Sequence, residues 1–289
     1  GRIWVPKKAN DTRSPDQIPE AERNYYLEEK YPSFGNLVPR DVASRNAKYV
    51  CDAGFGVGGG EAVYLDFRDA IKRDGHDVIQ AKYGNLFEMY QRISDEDPFK
   101  MPMKIFPAVH YTMGGLWVDY HLMSNLQGLF VLGEANFSDH GANRLGANSL
   151  LSCVYAGQIG GPAAVKWVQN QAKSGAETPS SVFAAAEKRW VDHFASLGRR
   201  EGTENPYVIG KELGQWMTNN VTVVRDNRKL DETLDFIKQL KERWHKSSVL
   251  DTGTTLNQPL SYVNQLWNML ELGELITKCA RLRDECRGA

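Results

Sequence analysis

The stretch His140-Gly-Ala-Asn-Arg-Leu-Gly-Ala-Asn-Ser-Leu150 follows the apolar run Leu129–Leu132, which ends on Gly133-Glu134. The apolar run predicts a short buried strand. A new helix is predicted to begin near Asn148 and Ser149, since both residue types cap helix N-termini. The predicted order is therefore strand, loop and helix. Because free backbone N–H groups and the positive end of a helix dipole would face the crevice after the strand, we expect an electron-rich ligand there.

Two side chains of this segment suit such a ligand. Glu134, at the end of the predicted strand, can accept two hydrogen bonds from sugar hydroxyls, as acidic residues do in dinucleotide-binding folds. Arg144 can offer a planar fork of donors to a carboxylate or a phosphate. Taken singly, each of these residues is interpreted most simply as part of a solvated loop, with Arg144 as a surface arginine. Taken together, the residues of the segment favour a binding site. His140 is interpreted as a hydrogen-bonded structural histidine that could orient Arg144.

Two further motifs precede this segment, LVPRDVASR at Leu37–Arg45 and HYTMGG at His110–Gly115. Together with LFVLGEAN and HGANRLGANSLL, they resemble the flavoprotein subunits of succinate dehydrogenase and fumarate reductase. The resemblance implies FAD as the cofactor and a mixed α+β fold with three parts. These are part of a capping (substrate) domain at residues 1–108, the closing segment of an α/β FAD-binding domain at 109–163, and a C-terminal helical bundle domain at 164–289.

The resemblance also implies the residues of the site. Arg40 would transfer a proton to or from the substrate, although arginine as a residue type is an anion binder rather than an acid. Its neighbour Asp41 complements the dipole of the predicted helix and is expected to fix the direction of Arg40. His110 and Arg144 would bind a substrate carboxylate. The implied FAD contacts are Glu134 with the ribose, Ser149 and Leu150 with the flavin at the helix N-terminus that also carries Asn148, and Gly114 and Gly115, where a side chain would collide with the ring.

The composition of the 289-residue chain excludes several classes of protein. A net charge of −1 gives no electrostatic basis for binding nucleic acid. No run of about 18 apolar residues is present, so no transmembrane helix is predicted. The four cysteines form no Cys-x-x-Cys pair and the histidines have no ligand-like spacing, so neither a disulfide framework nor a metal site is expected. The chain is too short for this family's whole subunit, and we interpret it as a fragment without the N-terminal nucleotide-binding part.

The last third of the sequence has a helical period almost throughout. Helices are also predicted at about Arg40–Val50, Arg68–Arg73 and Ser149–Ile159, and Asn227 is a candidate cap for a late helix. The glycine-rich run Gly54–Gly60 is not interpreted as a phosphate loop, because a predicted helix precedes it and strand-like sequence follows it. Two apolar stripes are expected to pack in the core: Phe183, Ala186, Trp190, Phe194 and Leu197, and Leu230, Leu234, Ile237, Leu240 and Trp244.

The resemblance implies an enzyme, the flavoprotein subunit of a succinate:quinone oxidoreductase. Such a subunit would interconvert succinate and fumarate by hydride transfer with FAD and proton transfer by Arg40. Its implied partners are an iron–sulfur subunit and, through it, membrane anchor subunits and quinone. The chain would be peripheral at the cytoplasmic face of the inner membrane, and the fragment alone would be inactive. Two alternatives stay open: an L-aspartate oxidase or soluble fumarate reductase of the same flavoprotein family, and a non-catalytic interaction fragment.

Overall fold

The computed structural model describes residues 1–137, 139–253 and 255–286. Residues 287–289 of the predicted helical domain lie outside them. The chain folds into two compact units, Gly1–Ala108 and Val109–Ala289. The first unit combines a small sheet with helices, and the second consists of irregular segments followed by long helices. The chain is thus a mixed α+β protein with a helical C-terminal part, as predicted.

A four-stranded antiparallel sheet forms the centre of the first unit. Its strands, in the spatial order β2-β1-β3-β4, are β1 (Arg2–Pro6), β2 (Arg23–Asn24), β3 (Val63–Asp66) and β4 (Met103–Ile105). The register places Trp4 opposite Tyr64. Both side chains are buried and their ring centroids lie 4.4 Å apart, so this cross-strand aromatic pair stabilises one face of the sheet.

Two helices of the first unit confirm predictions made from the sequence. The helices of this unit are α1 (Tyr26–Lys30), α2 (Arg40–Asp52), α3 (Arg68–Asp74) and α4 (His76–Ser94). The predicted helices near residues 40 and 68 correspond to α2 and α3. On its inner face, α2 buries Ala47 and Cys51 in a core that also contains Val5 and Val63. The apolar face of α2 therefore holds the helix against the sheet.

The helix α4, which is 19 residues long, was not among the helices predicted from the sequence. The buried residues of α4 are Ile79, Gly84 and Phe87. Phe87 packs edge-on against Phe67 and Phe99, at centroid distances of 5.0 and 4.9 Å. Ile79, Tyr83, Phe87 and Tyr90 are spaced four or three residues apart, so the helical period that would have predicted α4 is present in the sequence.

The glycine-rich run between α2 and β3 is a turn, as predicted. Gly54, Gly58 and Gly59 all have positive φ, a backbone region that favours glycine. A Cβ on Gly56 would lie 1.8 Å from the carbonyl oxygen of Gly60. Because a helix precedes this turn and a strand follows it, the order is wrong for a phosphate-binding loop.

The predicted strand at Leu129–Leu132 was wrong, since these described residues form no strand. Phe130 makes only a single bridge to a neighbouring segment. The chain reverses just before it at Gly128, where φ is 82°, and turns again at Gly133, where φ is 62°. The second turn opens the short 3-10 helix Gly133–Ala135. With a turn on each side, the apolar run is too short to build a ladder.

Long helices make up most of the second unit. They are α5 (Asn148–Gln169), α6 (Ser180–Gly198), α7 (Pro206–Met217), α8 (Asn227–His245) and α9 (Gln258–Arg283). The first of them runs well past its predicted end at Ile159 and through Pro162. Ala156 and Gly160 are its buried residues, and a Cβ on Gly160 would lie only 2.6 Å from the Leu132 side chain. This close packing stabilises α5 where its sequence contains helix breakers.

The core of the helical part forms where α8 packs on α9. The predicted stripe on α8 is confirmed, with Leu230, Ile237, Leu240 and Trp244 buried and Leu234 partly buried. Complete burial of one such side chain contributes about 1.5–3 kcal/mol. The 3.6-residue period therefore identified the face that stabilises this part of the fold.

Two details of the helical part differ from the predictions. The α6 stripe packs only at its C-terminal end, because Leu197 is fully buried whereas Phe183 and Trp190 are 62% and 50% exposed. The cap of α8 is Asp226, whose side chain accepts a backbone N–H of the first turn. Asn227 is the first helical residue, one position too late to cap.

Candidate functional site

Arg40 is the first residue of α2 and its side chain is exposed. The guanidinium of Arg40 has no hydrogen bond or ion pair with any described residue. The expectation that Asp41 fixes its direction was wrong, because the Asp41 carboxylate accepts a hydrogen bond from Arg45 at 3.0 Å. Arg45 lies one helical turn further on, where helix geometry brings the two side chains together. Arg40 thus takes part in no structural ion pair with a described residue.

In the second unit, the HYTMGG segment lies alongside the turn that carries Glu134. The Thr112 backbone N–H donates to Glu134 Oε1 at 2.8 Å, and the Leu116 N–H donates to the Ala135 carbonyl oxygen at 2.9 Å. One carboxylate oxygen of Glu134 is therefore used to hold this segment. The other oxygen has no partner within the described residues, and Glu134 is exposed, so it can still accept a ribose hydroxyl.

The two glycines of the segment differ in what surrounds them. A Cβ on Gly115 would lie 2.3 Å from the Ala135 carbonyl oxygen and 2.7 Å from backbone atoms of Asn136. A Cβ on Gly114 would meet nothing within 4 Å. Gly115 is therefore required by the protein's own backbone, a reason that the sequence did not reveal. At Gly114 the protein itself leaves room for a side chain. We therefore still predict that the close approach of the flavin ring explains the glycine at this position.

The loop before α5 holds a cluster that the sequence did not predict. His140 Nε2 and Tyr111 Oη each lie 3.2 Å from Ser152 Oγ. The rings of Tyr111 and His140 meet edge to face, with centroids 5.1 Å apart and planes at 78°. The Arg144 guanidinium carbon lies 5.2 Å from the centroid of the Tyr111 ring. A sequence signal existed for Ser152, because it lies three residues after Ser149 on the same helical face.

Arg144 combines a partly buried side chain with unused donors. Its Nη1 donates to the Leu145 carbonyl oxygen at 2.9 Å, whereas its Nε is buried and has no hydrogen-bond partner. No carboxylate of a described residue lies within ion-pair distance of it. A buried donor without a partner costs about 1–3 kcal/mol, and Nη2 is likewise without a partner among the described residues, so donors remain for an added carboxylate. His110 is exposed and adjoins Tyr111 in the chain, which leads the backbone at His110 towards this cluster.

The N-terminus of α5 is capped differently from the prediction. Asn148 and Ser149 are the first two helical residues rather than caps, and the cap is Ala147, which has φ 65° and makes no side-chain hydrogen bond. The left-handed backbone at Ala147 moves the helix start one residue ahead of the predicted cap. Because alanine offers no acceptor, the N–H groups of Ser149 and Leu150 are left for another acceptor. An electron-rich ring edge suits them.

Most of α5 is apolar and uncovered. Its exposed apolar side chains are Leu150, Leu151, Val154, Tyr155, Val165 and Val168, at 57–77% exposure. Contiguous apolar surface of this kind is characteristic of a binding or packing face rather than of a solvated one.

The described residues contain no group of three or more His, Cys, Asp or Glu side chains that could hold a metal ion. Among the described helices, none is both long and apolar enough to cross a bilayer.

Two family models match the chain. Residues 1–150 match the FAD binding domain and residues 210–289 match the fumarate reductase flavoprotein C-terminus. The succinate dehydrogenase flavoprotein subunit of Bacillus subtilis (strain 168) is 46% identical over 290 residues, which cover 100% of this chain and 47% of that protein. The chain thus spans about half the length of this curated relative.

Solved structures agree with the sequence matches. A quinol-fumarate reductase with menaquinol molecules superposes with a TM-score of 0.80 at 25% identity, covering 99% of this chain and 52% of that one. The Sdh1 complex of Mycobacterium smegmatis in the apo form superposes with a TM-score of 0.72 at 31% identity, covering 87% and 41%.

The donors at the start of α5, the free oxygen of Glu134 and the open space at Gly114 suit a dinucleotide with an electron-rich ring. This donor set and the FAD binding domain match agree that the cofactor is FAD. The chain belongs to the family of succinate dehydrogenase and fumarate reductase flavoprotein subunits.

Proposed function

We propose that this chain is the substrate-side and helical portion of a subunit that interconverts succinate and fumarate in a succinate:quinone oxidoreductase. The observation that supports this most directly is Arg144, a partly buried cation with a buried, unpartnered Nε and no carboxylate neighbour in the described chain. Such a donor set suits a substrate carboxylate. When bound, FAD supplies the two-electron acceptor or donor for the reaction.

Arg144 and His110 are the substrate-binding residues of this proposal. The Arg144 guanidinium presents its free Nη donors to one carboxylate, and the charge-assisted hydrogen bond polarises the substrate as well as holding it. His110 is exposed next to Tyr111, which contacts Arg144, and its imidazole adds a second donor to the same carboxylate. Two donors on one carboxylate orient the carbon chain for hydride transfer.

Arg40 is the catalytic residue of this proposal and moves the proton at the substrate carbon. The exposed Arg40 guanidinium, which has no ion-pair partner among the described residues, supports this role. An arginine with a structural role would normally have an ion-pair partner. Neighbouring charged groups would resupply the proton.

Six residues are proposed to hold FAD. Glu134 would accept a ribose hydroxyl with its free carboxylate oxygen. The start of α5 would donate to the flavin from backbone N–H groups, and the helix dipole would stabilise the reduced, negatively charged flavin by about 0.3–2 kcal/mol. The other five are Gly114, Gly115, Asn148, Ser149 and Leu150.

The proposed partners are an iron–sulfur subunit that receives the electrons and, through it, membrane anchor subunits and quinone. Similarity to the B. subtilis subunit and to a quinol-fumarate reductase supports this assignment. We propose a peripheral position at the cytoplasmic face of the inner membrane. We also propose that the exposed apolar face of α5 packs against the rest of the flavin-binding domain, and that the chain alone is inactive.

The test is succinate-dependent dye reduction by the full-length flavoprotein that contains this chain, with flavin content measured in every variant. Arg144→Ala removes a charge-assisted hydrogen bond of about 1.5–3 kcal/mol and should raise KM about 10- to 150-fold. Arg40→Ala should lower kcat by at least about 100-fold with flavin retained. The matched control is Arg92→Ala, since Arg92 is an exposed arginine that pairs only with Glu88 on the same helix.

Three results would contradict the proposal. Turnover of aspartate without turnover of succinate would identify an aspartate oxidase instead. Unchanged kinetics in both arginine variants would show that the substrate binds elsewhere, and a wild-type subunit that binds flavin without turning over either substrate would favour a non-catalytic interaction module.

A further inference from the structure

Ser152 is the centre of a hydrogen-bond network beside Arg144. Its Oγ donates its single proton to the Ser149 carbonyl oxygen at 2.8 Å. Since a serine hydroxyl has one proton and two acceptor sites, the two other contacts of Oγ must be ones that it accepts. Tyr111 O–H and His140 Nε2–H, each at 3.2 Å, are therefore the donors.

This network fixes the orientation of the Tyr111 ring at two points. The phenol oxygen is held by Ser152, and the ring is packed edge to face against His140, with centroids 5.1 Å apart. Ser152 lies on α5, one turn from the helix N-terminus. The Tyr111 ring is thus tied to α5 through Ser152 and also packs on His140, in the loop that carries Arg144.

The Tyr111 ring is in turn the aromatic surface nearest to the Arg144 guanidinium, at 5.2 Å from its centroid. A cation at this distance is attracted by the ring's electron density, and more strongly when it is partly desolvated, as Arg144 is. The only hydrogen bond of this guanidinium with a described residue is to the adjacent Leu145 carbonyl oxygen, a contact that moves with the loop. Tyr111 therefore supplies the anchor that lies outside the loop.

We propose that Tyr111 is a positioning residue for Arg144, and that Ser152 and His140 fix Tyr111. This inference rests on the proposed function, because it concerns how the substrate-binding arginine is held. An arginine that already points in the binding direction loses less conformational freedom when a carboxylate arrives. Tyr111 thus strengthens substrate binding without contacting the reacting carbon, and its loss should raise KM while kcat is preserved.

The experiment compares four variants of the full-length flavoprotein in succinate-dependent dye reduction, with flavin content as a check on folding. Tyr111→Leu removes the ring and should raise KM about 3- to 30-fold with kcat within twofold. Tyr111→Phe keeps the ring and should restore KM to within about threefold of wild type, because only the tie to Ser152 is lost. Ser152→Ala should resemble Tyr111→Phe. The control is Tyr120→Leu, since Tyr120 is a fully exposed tyrosine of the same unit.

A double-mutant cycle separates positioning from general damage. If Tyr111 acts through Arg144, then Tyr111→Leu should have no further effect on KM once Arg144→Ala is present. Independent, multiplicative effects of the two substitutions would overturn the inference, as would a fall in kcat and flavin content in Tyr111→Leu without a change in KM. Failure of the proposed function looks different, because Arg144→Ala alone would then leave succinate kinetics unchanged.

Discussion

Replacing Gly115 by alanine should destabilise the protein, whereas the same change at Gly114 should not. A Cβ at Gly115 would lie 2.3 Å from the Ala135 carbonyl oxygen, well short of the 3.4 Å at which ordinary van der Waals contact begins. The next nearest atoms belong to the backbone of Asn136. No flexible side chain can move aside, so the two backbone segments would have to separate by about 1 Å.

The cost of Gly115→Ala has two parts. Overpacking of this kind costs about 1–3 kcal/mol. Separation of the segments also breaks the hydrogen bond from the Leu116 N–H to the Ala135 oxygen, now 2.9 Å long, which contributes about 1 kcal/mol. We therefore expect a loss of about 2–4 kcal/mol in the free energy of unfolding. Gly114→Ala meets no atom within 4 Å and should change it by less than about 0.5 kcal/mol.

The assay is thermal and denaturant unfolding of both variants, measured in the apo form of the full-length flavoprotein and again with FAD bound. The apo form is decisive, because a collision with the flavin ring cannot lower its stability. Equal apo stability of the two variants would refute the reasoning from the Ala135 backbone. Gly115→Ala should also retain FAD more weakly, since the same displacement loosens the contact between Thr112 and Glu134.

Two further predictions concern the helical part. Trp244→Ala should cost about 3–5 kcal/mol in chemical denaturation, because the indole is buried and its N–H donates to the Val263 carbonyl oxygen at 2.8 Å; a loss below about 1 kcal/mol would contradict the core assignment. Hydrogen bonds from Lys241 and Lys278 lower the pKa of Glu274 from 4.5 to about 2, so the stabilisation from the charged carboxylate is complete above about pH 4.5 and is lost as pH falls towards 2. Glu274→Gln should therefore flatten the dependence of stability on pH over that interval, and an unchanged pH profile would contradict the pairing.

Much of the fold could be predicted where local pattern determines structure. The apolar period of α8 identified its buried face, and the glycine-rich run Gly54–Gly60 was correctly interpreted as a turn because a helix precedes it. The start of α5 was predicted only approximately. Asn148 and Ser149 are good caps by residue type, but the positive φ at Ala147 comes from how the preceding loop folds, which residue preference alone does not encode.

The contacts around the candidate site depend on long-range packing. Tyr111 and Ser152 are 41 residues apart in sequence and meet only in the folded chain. The motifs that resemble the family predicted Arg144 as a binding residue. The Tyr111 ring beside it and its unpartnered Nε depend on the folded structure and could not be predicted from the sequence. The clash that requires Gly115 likewise depends on which backbone passes next to it.

The uncovered apolar face of α5 has a practical consequence for handling the protein. Leu150, at 77% exposure, and Val168, at 63%, lie towards opposite ends of the helix. Exposed apolar surface therefore extends along most of its length. If these residues alone were produced as a recombinant polypeptide, such surface would drive self-association. Detergent-sensitive light scattering during purification would report that association directly, and monodisperse particles in the absence of detergent would show that the α5 face does not self-associate.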